Sequence, residues 1–183
     1  DPTGLLTADS ALLSRLDTFL GSGPGGQRYG YASGQQLLDA SVSKANDILY
    51  RASLDLDPNT EHGRTTRQIL RDIRDIVNSP NWKWGYDCDK AGAYAYTHRN
   101  KPNASGNSSY LTESGVRDLG PGRRYPTVAA KEILAAFIIH EAFHLYRGNL
   151  QNACGTDRYK TSDHGPNDDG PLFWFTRGVL GPY

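Results

Sequence analysis

Methionine is absent from all 183 residues, cysteine occurs only twice, and no sign of charge prevails, with 20 Lys and Arg against 20 Asp and Glu. A chain that opens on Asp1-Pro2 and holds no methionine is expected to be a processed product or an excised fragment, any signal peptide being already gone. Charge balance leaves no basic excess for nucleic acid or an anionic membrane, so neither is an expected partner. The longest apolar run is too short and too interrupted by charge to cross a bilayer. What remains, 37% hydrophobic and 22% charged, is ordinary for a soluble globular protein. The length suits one domain over 1–183 with a sizeable core, 1–30 forming an N-terminal helix and flexible segment and 31–183 the core proper. A monomer is expected.

The two cysteines, Cys88 and Cys154, permit one disulfide or stand as two thiols. Asn103-Ala104-Ser105 and Asn107-Ser108-Ser109 are both glycosylation acceptor patterns in a polar stretch. Together with the cysteine pair they point to a secreted protein.

Apolar periodicity predicts helices over 7–20, with Thr7 or Asp9 as cap, over 33–54, and over 65–77 with Ile69, Ile73, Ile76 and Val77 inward. The glycines at 21–26 break the first from the second. Between Trp82 and Thr112 the character changes to short aromatic segments, Trp84–Cys88, Ala91–His98 and Ser109–Thr112, which predict a hairpin or small sheet. The Gly- and Pro-rich stretch 115–126 reads as loop. Thr127 is positioned to cap a further helix from Val128 to about Arg147, with Gly148 ending it.

That last helix holds the chemistry. His140-Glu141-Ala142-Phe143-His144 is His-Glu-x-x-His, set among Ile133, Leu134, Phe137, Ile138 and Leu145. Residues four apart share a helix face, so two imidazoles can grip one zinc ion while Glu141 takes a proton from the metal's water. The alternative is a core helix with two hydrogen-bonded histidines. A hydrophobic helix has little reason to carry three ionisable groups unless they bind something.

Catalytic zinc takes a third protein ligand. No Glu occurs after Glu141, and Leu150 stands where a third His of the His-x-x-Gly-x-x-His extension belongs. The remaining donors are Asp157, Asp163, His164, Asp168 and Asp169.

Gly155-Thr156-Asp157-Arg158-Tyr159, following His140-Glu141-Ala142-Phe143-His144, resembles the signature of the deuterolysin-like zinc peptidases (aspzincins), His-Glu-x-x-His followed by Gly-Thr-x-Asp-x-x-Tyr-Gly. The early paired helices and Ala93-Tyr94-Ala95-Tyr96 agree with it. The resemblance implies an Asp as third ligand, which places Asp157 first, with His164 and Asp163 as alternatives. Asp157 directly follows Gly-Thr, one position early, and Arg158 occupies the family's Asp position. The resemblance also implies a Tyr near the metal, which makes Tyr159 the first candidate for stabilising the oxyanion, ahead of Tyr146 and His98. The N-terminal Asp1-Pro2-Thr3-Gly4-Leu5 resembles the junction at which Rhs-type polymorphic toxins release a C-terminal effector.

The expectation is therefore an α+β, mainly helical zincin-like domain with a small antiparallel sheet beside the His-Glu-x-x-His helix. Its expected function is zinc metalloendopeptidase, with Glu141 as general base and a protein or peptide as substrate. The alternatives are a secreted zinc-binding or scavenging protein without activity, and an effector peptidase delivered into a target cell against one narrow target.

Overall fold

The computed structural model describes residues 6–21, 28–98, 106–120 and 128–154, with residue 28 and the last eight given by backbone alone. Each early helix begins where a short polar side chain can satisfy an orphan amide. Asp9 accepts from the Leu12 amide at 2.8 Å and starts α1 (Ser10–Leu20), which Gly21 ends in the left-handed conformation, φ 65°. Ser33 does the same at 3.2 Å for Gln36 and starts α2 (Gly34–Leu54). Thr60 accepts from Gly63 at 3.0 Å and starts α3 (Glu61–Val77), four residues before the predicted onset. Gly63 closes the stretch 55–63, whose Asp, Pro, Asn and Gly residues read as turn chemistry. In the structure it allows a close approach, since a Cβ there would fall 1.8 Å from the Asp57 carbonyl oxygen.

Leu12, Leu16 and Leu20 of α1, Leu37, Leu38, Val42, Ala45 and Leu49 of α2, and Leu70, Ile73 and Val77 of α3 are all buried in one core. The first helix is thus built into the core and is no appendage. On α3 the inward residue that periodicity missed is Leu70, while Ile69 and Ile76 are only partly buried.

The expected antiparallel sheet is a mixed one. Its strands are β1 (Thr7–Ala8), β2 (Lys83–Asp87), β3 (Ala95–Thr97) and β4 (Ser109–Thr112), in the order β1-β2-β4-β3. β1 and β4 each pair in parallel with β2, and only β3 and β4 are antiparallel. Burial accounts for the order. All four residues of β4 are buried and it takes an inner position, while β3, only half-buried throughout, takes the edge. The buried Ser109 hydroxyl is satisfied, accepting from the Trp82 indole at 2.8 Å and lying 2.7 Å from the Thr97 hydroxyl.

Two predicted loops are ordered differently. Thr112 caps a short helix α4 (Glu113–Asp118) that runs into the stretch read as loop. Asn107 belongs to no open polar loop: it is 3% exposed and its amide donates to Asp9 at 2.6 Å. The other acceptor, Asn103, lies outside the described residues.

The last helix, α5 (Ala130–Cys154), begins two residues later than predicted and continues through Gly148. One Gly inside a helix costs about 1 kcal/mol, too little to end a helix otherwise supported. Thr127 lies outside the described residues. Ile133, Leu134, Ala135, Ala136, Ile138, Ile139 and Ala142 of α5 are buried, and α2, α3 and β3 pack around it. The sheet therefore stands beside this helix as expected. No described helix is long and apolar enough to cross a membrane.

Candidate metal centre

A buried helix in a close-packed core fixes its side chains, and α5 uses that rigidity to hold three ionisable groups together. The ligand atoms of His140, Glu141 and His144 all lie within 4.8 Å of one another, and this group can hold a metal ion. Among the described residues no other cluster of His, Cys, Asp or Glu does so. Nε2 of His140 and Nε2 of His144 are 3.2 Å apart, their rings inclined at 72°.

That spacing tests whether the pair fits a metal. Two imidazole nitrogens on one tetrahedral ion, each at about 2.0–2.1 Å, stand about 3.3 Å apart. The observed distance fits. It also fits a hydrogen bond between a protonated nitrogen of one ring and the lone pair of the other. The neighbour separates the two cases in chemistry: Glu141 is 1% exposed and brings a carboxylate to the same point. A helix that needed only a His-His hydrogen bond would have no use for a buried acid beside it.

The aromatic neighbours of α5 were less legible. Phe137, one turn before Glu141, lies flat against Tyr94, ring centroids 5.8 Å apart and planes within 6°. The pairing spans 43 positions and no local pattern announces it; the one available signal was that Phe137 shares the helix face of the histidines.

Asp157, Tyr159, Asp163 and His164 lie outside the described residues, so the third ligand and the first candidate for the oxyanion do too. Of the weaker oxyanion candidates, Tyr146 packs on Phe143, centroids 6.3 Å apart. His98 is engaged elsewhere, edge-on to Tyr96 at 5.4 Å and to Tyr110 at 5.8 Å. Tyr96 and Tyr110 are themselves stacked at 5.0 Å. The Tyr96 hydroxyl donates to Asp87, whose carboxyl is held below its usual range by that bond first and by the Asp89 amide next. Burial and the same carboxylate push the Tyr96 phenol upward. This is a structural cluster on the sheet. Cys88 is an exposed free thiol whose Sγ lies 3.5 Å from the Asp89 carboxylate. The side chain of Cys154, which a disulfide would need, lies outside the described residues.

Compared with family models, with curated proteins and with solved structures, the chain matches none of them.

Proposed function

We propose that the chain is a zinc-dependent metalloendopeptidase in which His140 and His144 hold the metal and Glu141 is the general base. The observation that carries this reading is the convergence of two imidazole nitrogens, 3.2 Å apart, beside an acid that is 1% exposed on a core helix. The donor set of two neutral nitrogens and an oxygen suits zinc among the common divalent ions. Bound zinc would supply a water acidified to near neutrality and a Lewis acid for the scissile carbonyl.

The chain's own residues do the rest. Glu141, shut off from bulk solvent, accepts the water's proton and delivers it to the departing amine. The four-residue spacing on a rigid helix keeps both rings aimed at one point, so little reorganisation accompanies binding. Asp157 completes the ligand set in this proposal, with His164 and Asp163 as alternatives, and Tyr159 supports the oxyanion. The zincin-like architecture, the aspzincin kinship and the release from a toxin-like precursor belong to the same proposal.

The test combines metal analysis with proteolysis of a denatured protein substrate. Wild type and Glu141→Gln should each retain about one zinc per chain, and only wild type should cleave; loss of a general base costs roughly 10²–10⁴ in rate. His144→Ala should lose the metal along with the activity. Zinc retained by both proteins, with cleavage by neither, would leave two readings, a zinc-binding protein or an effector peptidase with one narrow target. Absence of zinc from wild type would return both histidines to the core.

A further inference from the structure

We infer that the stacked pair of Tyr94 and Phe137 is the specificity wall of the site and selects a peptide with an apolar or aromatic side chain next to the scissile bond. The inference rests on the peptidase reading above and adds the substrate class. Phe137 precedes His140 by three residues and His144 by seven, so all three lie on one helix face. The rise of a helix puts Phe137 about 4.5 Å before His140 along the axis, within one side chain's reach of the metal group. On that face Tyr94 lies parallel to Phe137 at 5.8 Å and remains 36% exposed. Large aromatic surface left open beside a metal-binding group is where a ligand's side chain finds apolar area to cover.

The wall is held in advance. Thr112 donates to the Tyr94 carbonyl through its amide and its hydroxyl, both at 3.0 Å, and the hydroxyl also reaches the Ala93 carbonyl at 2.6 Å. Gly115 closes against the same carbonyl, where a Cβ would come within 2.1 Å of it. The Tyr94 backbone is thus fixed by β4 and the first turn of α4, and its ring is fixed by Phe137. Neither ring carries a charge, so the pair offers a substrate lysine or aspartate no counter-ion. Pre-placed rings lose little freedom when a side chain docks on them.

The experiment uses the zinc-loaded full chain and quenched peptides that differ only in the residues flanking the cleaved bond: Phe, Leu, Gly, Lys or Asp. Wild type should favour Phe and Leu over Gly by about tenfold or more in kcat/KM, the usual discrimination of an apolar subsite. In Tyr94→Ala that ratio should fall toward one, and Tyr94→Phe should restore it. As a second readout, zinc-loaded Glu141→Gln should bind the uncleaved Phe peptide more tightly than the Gly peptide, and adding Tyr94→Ala should remove the difference. A preference for Lys or Asp, no preference, or a preference that survives Tyr94→Ala would overturn the inference while leaving the peptidase reading intact. If no peptide is cleaved, the binding measurement alone decides the wall: equal affinity for the Phe and Gly peptides overturns it.

Discussion

Glu113 accepts from three side chains at once. Arg15 reaches it in a two-pronged pair at 2.8 and 2.9 Å, Arg117 at 3.1 Å, and the Tyr86 hydroxyl completes the set. Arg15 first, then Tyr86, hold its carboxyl down to about 2 from an ordinary 4.5. A carboxyl with a lowered folded-state pKa contributes stability that is complete above its unfolded value and lost as pH falls through the folded one. Glu113→Gln should therefore cost about 1 kcal/mol at pH 7, the range for a charge-assisted pair that is only partly buried and so partly screened by solvent. The gap to wild type should close between about pH 4.5 and pH 2, and urea midpoints measured across that window check it. None of this was readable beforehand: Arg15 and Glu113 are 98 positions apart, and each alone reads as a solvated charge. His140, Glu141 and His144 were readable because their relation is local, four residues on one helix. Asp157, Asp163 and His164 were only donor types within reach, since no short-range geometry ties them to α5.

At the scale of elements, the caps were legible and the pairings were not. Asp9 and Ser33 stand one residue before their helices, where their side chains meet the free amides, and a sequence displays that directly. Thr60 does the same, but Gly63 behind it disguised the helix as a turn. Strand order depends on which segment the core buries most deeply, a property of the whole packing, so the exchange of β3 and β4 left no local trace. Gly115 makes the point experimentally. Its missing side chain lets α4 begin against the Tyr94 carbonyl, and the space a Cβ needs is already filled at 2.1 Å. Gly115→Ala should destabilise the protein by about 1–3 kcal/mol, the usual cost of overpacking. Gly92→Ala, where nothing lies within 4 Å but φ is +80°, should also destabilise, through local strain of about 1 kcal/mol. Thermal unfolding of the two variants checks both; because the Gly115 clash is with the Tyr94 backbone, adding Tyr94→Ala should leave the Gly115→Ala penalty in place.

For the molecule as a whole, composition correctly indicated an α+β protein built on helices, because amphipathic stretches of this length have few other ways to hide their apolar faces. It misjudged the setting of Asn107. The acceptor pattern is present, but the amide nitrogen a glycan would need is buried and bonded to Asp9, and Gly85 abuts it so closely that a Cβ would come within 2.5 Å. Folded protein produced in a glycosylating host should carry no sugar at Asn107, which peptide mass mapping can establish; a modified Asn107 in soluble, folded material would contradict the packing described here. One of the two signals for secretion is weakened accordingly.

The two-residue strand β1 looks negligible, yet it lies along the outer side of β2, with Thr7 donating to the Trp82 carbonyl at 3.0 Å and Asp9 to that of Trp84 at 2.8 Å. Remove it and β2 presents a bare row of donors and acceptors flanked by Trp82 and Trp84, the kind of open margin on which another chain can add a strand. A protein trimmed to begin at Ser10 should therefore self-associate, visible as a concentration-dependent rise in light scattering, where the intact chain does not. Residues 7 and 8 thus act as a guard against stickiness, covering a margin that would otherwise recruit a second chain.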